Sequence, residues 1–237
     1  MPQHISTIDD SSLPPGHDLT ELIESFELIE LTEAETDTLV EIFNIGVGHA
    51  AAAMSAIVQE EVCMSVPSLR FARRSLAARE LGGNVALCGI SQQYAGAYAT
   101  EAILMFPEAA SFEIVRMMVG DAVPIEELGE MEREAMSEIG NIVLNACVGT
   151  MANMFHHELR GSLPTYRIGT SEDILNPRHD STDPPVLTLR IGFSLERQQL
   201  RGYLAFILSM ATLSDLRREV ALYLARFEAA GNDGPPP

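Results

Sequence analysis

Two segments of the sequence carry the residues best suited to chemistry. In the first, Asp37, Glu41 and Asn44 are spaced i, i+4 and i+7, which places their side chains on one face of an α-helix. Gly48 continues this polar face, and the opposite face is apolar, with Leu39, Phe43, Gly46, Ala50, Met54 and Ile57. A carboxylate beside a carboxamide can hold a polar partner and orient a water molecule, because Asn both donates and accepts hydrogen bonds.

A second segment repeats this pattern. Its polar face carries Glu134, Glu138, Asn141 and Asn145, and its opposite face carries Met136, Val143, Cys147, Met151 and Met154. The copies are 97 positions apart at three places: Glu41 and Glu138, Asn44 and Asn141, Pro67 and Pro164. A fixed offset predicts an internal duplication, here with repeats over residues 32–128 and 129–229 of one pseudo-twofold domain.

A polar face on an amphipathic helix is usually only its solvated side. Two observations favour a contact surface instead: the face is repeated, and it is edged by small residues, Gly48, Ala51, Ala52, Gly149 and Ala152. Ser55 and Ser137 lack a His and Asp partner set, which argues against nucleophilic catalysis. His156 and His157 fall on the predicted second helix without a ligand cluster, so we expect no metal site there.

Composition excludes several classes of function. The net charge is −19, and residues 1–36 hold nine acidic and no basic residues, so we expect no nucleic-acid partner and no anionic membrane partner. All 15 basic residues are Arg, which excludes lysine Schiff bases and a P-loop lysine. Three separated Cys and the absence of a signal peptide predict a cytoplasmic protein with reduced thiols. Residues 1–31 read as an acidic, partly disordered extension and 230–237 as a disordered tail.

Each repeat reads as helix, strand, short element, two strands and helix. Long helices are predicted over 33–59 and 129–159, and single strands containing Pro67 and Pro164 over 61–72 and 160–168. Two hairpins complete the sheet. The sequence therefore predicts an α+β fold, in which a roughly six-stranded sheet is packed by two long helices in two layers.

The doubled motif resembles that of the CheC family of chemotaxis phosphatases, which includes CheX and the CheC-like part of FliY. The family pattern is Asp or Ser, three residues, Glu, two residues, Asn, 22 residues and Pro. The first copy matches at Asp37, Glu41, Asn44 and Pro67. The second matches at Glu138, Asn141 and Pro164, but Glu134 stands where the family has Asp or Ser. The resemblance covers roughly residues 33–228.

The resemblance implies the CheC-like fold and a phosphatase acting on the aspartyl phosphate of a CheY-type response regulator. In this interpretation Asn44 and Asn141 place the attacking water, and Glu41 and Glu138 pair with the regulator's Lys. Asp37, Glu134, Gly48 and the two prolines support docking, and the Mg²⁺ belongs to the regulator, so the chain needs no cofactor of its own. Because Glu134 departs from the motif, we expect the Asn44 site to be the stronger. A non-catalytic adaptor of the flagellar-switch kind, or binding of CheD, remains an alternative.

Overall fold

Seven strands and six helices make up the part of the chain that the structure describes. The structure is a computed structural model, and it describes residues 31–58, 61–81, 84–97, 99–119, 125–195, 198–208 and 210–232. The helices are α1 (Glu33–Val58), α2 (Arg74–Glu80), α3 (Glu108–Val119), α4 (Ile125–Met154), α5 (Ser171–Leu175) and α6 (Met210–Asn232). The strands are β1 (Val62–Arg73), β2 (Leu87–Gly96), β3 (Thr100–Pro107), β4 (Leu159–Gly161), β5 (Thr165–Gly169), β6 (Pro185–Leu195) and β7 (Gln198–Leu208).

The two predicted terminal segments fall largely outside these residues. Of the acidic extension over 1–31, only Leu31 is described, and residues 233–237 of the predicted tail are not described. Helix α6 continues to Asn232, so the first three residues of the predicted tail are helical.

One antiparallel sheet contains all seven strands in the order β1-β6-β7-β3-β2-β4, and β5 also pairs with β2. The repeats exchange strands: β1 of the first repeat pairs with β6 of the second, while β4 and β5 of the second pair with β2 of the first. The two hairpins meet where β3 pairs with β7. Each repeat therefore depends on the other for its strand pairing, and the predicted α+β class and pseudo-twofold plan are confirmed.

The sheet has seven strands rather than the predicted six because the segment 160–168 is not one strand. It forms β4 and β5, with Ser162–Pro164 between them outside any strand. Proline has no N–H for a strand ladder, which makes the position of Pro164 a natural break. Its counterpart Pro67 lies within β1, where the pairing with β6 shifts register between Ser65 and Ser68.

The long helices bury their apolar faces on one side of the sheet. Leu39, Phe43 and Met54 of α1 are fully buried, and the Phe43 ring lies 5.2 Å from that of Phe206 on β7. Ile57, predicted on the same face, is instead 42% exposed, because it lies in the last turn of the helix. Within the described residues, α1 is the one helix long and apolar enough to suit a membrane span. Its apolar side chains are buried against the sheet, as in the core helix of a globular protein.

The two long helices also touch one another closely. A Cβ added at Gly46 would lie 2.9 Å from the Cα of Cys147 on α4, so this crossing requires glycine. On α4, the predicted apolar face is buried at Met136, Val143 and Cys147. The long helices therefore form one layer with a shared interface.

The opposite side of the sheet carries a second, smaller core that the predicted two-layer arrangement omits. Adjacent residues of β2 point to opposite faces, and they contact different helices. A Cβ at Gly140 of α4 would meet Ile90, whereas a Cβ at Gly89 would meet Ile174 of α5. The second core is formed mainly by Ala72, Ala77, Ala78, Leu81, Leu87, Ile103, Met105, Ile174, Leu175, Val186 and Ala205. The short helices α2 and α5 thus cover part of this side.

Helix α4 ends five residues before the predicted boundary at 159. It stops at Met154, and His156 adopts a left-handed backbone conformation with φ of 57°. The predicted helical placement of His156 and His157 is therefore wrong. His157 lies near α6, with Nε2 3.5 Å from Oε1 of Glu219.

Candidate functional site

The first polar face is formed by α1 as predicted. Helix α1 begins at a capping box, in which the Thr32 N–H donates to Glu35 Oε2 at 2.8 Å and the Glu35 N–H donates to Thr32 Oγ1 at 3.2 Å. Asp37, Glu41 and Gly48 are exposed, whereas Asn44 is half-buried. No atom would lie within 4 Å of a Cβ at Gly48. The helix therefore presents two exposed carboxylates, followed by a half-buried carboxamide and then by open space at Gly48.

Asn44 is anchored to strand β1. The backbone N–H of Val66 donates to Asn44 Oδ1 at 2.9 Å. Val66 and Pro67 fall in the register shift of β1, so the side chain of Asn44 supplies an acceptor where strand pairing is interrupted. The 22 residues between Asn44 and Pro67 thus place the carboxamide against Val66, the residue that precedes the proline. Because Oδ1 faces the strand, the Nδ2 amide group is turned away from Val66.

The second polar face, on α4, has the same pattern of exposure. Glu134, Glu138 and Asn145 are exposed, and Asn141 is half-buried. Glu134 and Glu138 are one turn apart on the helix, as Asp37 and Glu41 are on α1, so the residue that departs from the family motif carries the same charge as Asp37 on a longer side chain. Pro164 is half-buried and ends the break between β4 and β5.

Asn141 is held by side chains rather than by backbone. Gln92 Nε2 donates to Asn141 Oδ1 at 3.1 Å, and Asn145 Nδ2 donates to the same oxygen at 2.7 Å. Gln92 Nε2 also donates to the Ser162 carbonyl at 2.9 Å. Gln92 lies on β2 of the other repeat, and sequence reasoning missed it, since nothing in the local pattern links position 92 to position 141.

Tyr94 completes this network. Its hydroxyl lies 2.9 Å from Gln92 Oε1 and 3.0 Å from Asn145 Oδ1, and it can donate its proton to one of them at a time. Burial raises the pKa of the Tyr94 hydroxyl above its ordinary value, which keeps the group protonated as a donor. A Cβ at Gly161 would lie 2.9 Å from the Tyr94 ring and 3.3 Å from Asn145 Oδ1, so this glycine leaves room for the network.

The equivalent position beneath Asn44 is apolar. Thr165 and Ser68 are equivalent positions of the two repeats, since they are 97 residues apart. Thr165 pairs with the residue before Gln92 on β2, and Ser68 pairs with the residue before Ile191 on β6, so Gln92 and Ile191 are equivalent. Gln92 and Ile191 are 2% and 0% exposed, so both are core positions of the sheet. The two halves of the molecule therefore place different chemistry under the two carboxamides.

The polar faces form an acidic surface. Within the described residues, none of the carboxylates Asp37, Glu41, Glu134 and Glu138 forms an ion pair. Two clefts lie elsewhere: one of about 410 Å³ is lined mainly by α2, α5 and the segment 176–184, and one of about 750 Å³ is lined by residues of β2, β3, β5, α5 and the same segment. Neither cleft includes any of the nine predicted site residues. The candidate site is thus an open surface whose charge complements a basic partner.

Residues considered as nucleophiles or ligands have structural partners. Ser55 Oγ donates to the Ala51 carbonyl at 2.8 Å and accepts the Val62 N–H at 2.9 Å, and Ser137 Oγ donates to the Arg133 carbonyl at 2.6 Å. In the described part of the chain, no group of three His, Cys, Asp or Glu side chains is arranged to hold a metal ion.

His49 stands where the resembled motif has a second Asn. Its Nδ1 lies 3.2 Å from Thr150 Oγ1 on α4, within hydrogen-bond reach. This contact links the two motif helices.

Comparison with known proteins gives a sequence match to a chemotaxis protein. The chain is 28% identical over 138 residues to the CheY-P phosphatase CheC of Bacillus subtilis (strain 168), a match covering 56% of this chain and 66% of that protein. The chain thus matches slightly less than two thirds of that relative's length. No protein-family model matches the chain.

Solved structures show the fold. FliY of Thermotoga maritima superposes with a TM-score of 0.69 at 20% identity, covering 81% of this chain and 98% of that one. FliM from the H. pylori FliM–SpeE complex superposes with a TM-score of 0.58 at 9% identity, covering 82% and 98%. The predicted resemblance to the CheC family is supported by these findings: the chain is similar in sequence to CheC over part of its length and similar in fold to FliY.

Proposed function

We propose that this protein is a cytoplasmic phosphatase that hydrolyses the aspartyl phosphate of a CheY-type response regulator in chemotaxis. Its relation to CheC, which in Bacillus subtilis is a CheY-P phosphatase, supports this assignment. The observation that carries it is the repeated arrangement of a half-buried Asn preceded by two exposed carboxylates, on two helices of the same layer.

In the proposed mechanism the regulator docks on the polar face of α1 or α4. Glu41 or Glu138 pairs with a regulator Lys, and the acidic surface strengthens this contact because the opposite charges attract. Asn44 or Asn141 then enters the regulator's site and aligns a water with the phosphorus atom. Phosphoryl transfer depends mainly on positioning and charge neutralisation, so a carboxamide that orients water is sufficient protein chemistry.

The remaining parts of the proposal concern charge and metal. The Mg²⁺ is carried by the regulator, where it neutralises the phosphoryl oxygens, and this chain contributes no cofactor. Asp37 supports the docking face of the first site. At the second site Glu134 takes the place of Asp37, and its longer side chain displaces the carboxylate of Glu138 and lowers the contribution of that site.

The alternative is a docking module that binds the regulator without hydrolysis. The fold itself favours this second candidate, since FliM shares it at 9% identity. Binding of CheD is a further proposal, for which α5 is the first helix after the second motif proline. Retention of Asn in both motifs favours the phosphatase, because docking through Glu alone does not require a carboxamide.

Phosphate release separates these functions. CheY-type regulators are charged with acetyl phosphate, and their dephosphorylation is followed with and without this chain. We expect the wild type to accelerate release and the double variant Asn44→Ala/Asn141→Ala to bind the charged regulator without accelerating it. As a matched control, Asn153→Ala removes an exposed Asn elsewhere on α4 and leaves release unchanged. Binding by the wild type without any acceleration would establish the adaptor instead.

A further inference from the structure

The two carboxamides differ in the hydrogen-bonding capacity they retain. A carboxamide oxygen has two lone pairs. Asn44 Oδ1 accepts one hydrogen bond, from the Val66 N–H, which leaves one lone pair. Asn141 Oδ1 accepts two, from Gln92 and Asn145, at 3.1 and 2.7 Å. Both of its lone pairs are therefore occupied by protein donors.

The orientation of the second network is fixed by backbone. The Ser162 carbonyl can only accept, so the Gln92 atom beside it at 2.9 Å is the amide nitrogen. That nitrogen faces Asn141, whose facing atom is therefore the oxygen. Asn145 must in turn present its nitrogen to Asn141, which leaves Asn145 Oδ1 to accept from the Tyr94 hydroxyl at 3.0 Å. The positions of nitrogen and oxygen in each side-chain amide are thus determined by the neighbouring group, starting from the Ser162 carbonyl.

This difference bears on catalysis. A water attacks through its oxygen lone pair, and it is oriented when a protein acceptor takes one of its hydrogens, as the water-positioning glutamine of GTPases does. Asn44 retains the acceptor for that hydrogen. Asn141 can offer only its Nδ2 donors. A donor bonds to the oxygen of the water and so occupies a lone pair of that water, instead of taking a hydrogen and directing a lone pair at the phosphorus atom.

We propose, on the basis of the function proposed above, that Gln92 and Asn145 are positioning residues that lock the acceptor of Asn141 and hold the second site in a docking role with little hydrolysis. The structure of the first site supports this assignment, because Gly48 stands where α4 has Asn145 and Ile191 stands where β2 has Gln92. The first carboxamide therefore has neither of the two side-chain donors.

The test is carried out in an Asn44→Ala background, where only the second site remains. Asn145→Ala removes one donor from Asn141 Oδ1, while the Tyr94 hydroxyl keeps its contact with Gln92 Oε1. We expect kcat for phosphate release from an acetyl-phosphate-charged CheY-type regulator to rise roughly 10-fold, since correct placement of a reacting group is worth up to about 100-fold. KM stays within about twofold because binding does not use the freed lone pair.

Two further variants guard against indirect effects. Gln92→Met frees the other lone pair with little change in side-chain size and raises kcat in the same direction. Asn153→Ala, an exposed Asn two turns beyond Asn145, leaves both constants unchanged. A fall in kcat with Asn145→Ala and Gln92→Met, or no change, overturns the inference while the phosphatase assignment stands. Absence of hydrolysis by the wild type overturns the phosphatase assignment and the inference with it.

Discussion

Substitution of Asn44 separates its structural role from its proposed catalytic role. Asn44→Ala removes the acceptor for the Val66 N–H, and Val66 is only 3% exposed and outside the regular β1–β6 pairing. An unsatisfied buried donor costs about 1–3 kcal/mol. For a domain of this size, 1 kcal/mol shifts Tm by about 2–4 °C, so we expect Asn44→Ala to lower Tm by about 4–8 °C at the centre of that range.

Asn44→Asp provides the matched variant. A carboxylate accepts the Val66 N–H as well as a carboxamide does, so stability stays near that of the wild type. Hydrolysis falls, because Asp adds a negative charge opposite the phosphoryl group, and the two like charges repel. For both Asn44 variants we expect the rate of hydrolysis at this site to fall about 100-fold, which is the scale that misplacement of a reacting group produces.

Asn141→Ala gives the contrasting case. Its partner Gln92 loses the acceptor for one N–H but keeps the Ser162 carbonyl as acceptor for the other, and the exposed Asn145 amide turns to water. The Val66 N–H, by contrast, loses the acceptor that Asn44 supplies. We expect a Tm change less than half that of Asn44→Ala. Thermal unfolding by circular dichroism and phosphate release from the charged regulator measure the two effects. Equal Tm losses for Asn44→Ala and Asn141→Ala, or a destabilised Asn44→Asp, would refute the role assigned to the Val66 hydrogen bond.

Two further predictions concern ionisable groups away from the site. Burial raises the pKa of the Cys88 and Cys147 thiols to about 12, so both stay protonated at pH 8, and an aromatic disulfide reagent should modify only the exposed Cys63 until the protein unfolds. Reaction of two or three thiols in the folded protein would contradict this burial. The hydrogen bond from the Arg74 guanidinium lowers the pKa of Asp180 from 3.8 to about 2, so its stabilising contribution is complete above pH 3.8 and is lost as pH falls through about 2. A carbon-detected NMR titration of the Asp180 carboxylate should show this value, and Arg74→Met should return it towards 3.8.

Much of the fold follows from local sequence. The capping box at Thr32 and Glu35 sets the start of α1, and the apolar spacing that follows selects its buried face. The fixed offset of 97 residues predicts the duplication and hence the pseudo-twofold plan. The cap and the apolar spacing depend on residues within a few turns of one another, and the duplication depends on the comparison of two segments of the same chain, so a single sequence is enough to find them.

The predictions of the fold that were wrong or incomplete concern contacts between distant segments. The repeat plan predicts Pro164 inside one strand, whereas in the structure β4 and β5 pair with separate parts of β2 and the ladder breaks between them. The second core under α2 and α5 was missed for the same reason. A short helix has too few residues to show which surface it covers, and the packing of Ile174 against Gly89 is decided by the sheet.

The candidate site shows the same division. The sequence by itself placed Glu41, Asn44, Glu138 and Asn141 on the polar faces of two helices, because helical periodicity is a local property. Only the tertiary structure decided what each carboxamide contacts, since the strands beneath them are exchanged between the repeats. Two nearly identical motifs therefore acquire different partners, a backbone N–H in one case and Gln92 in the other.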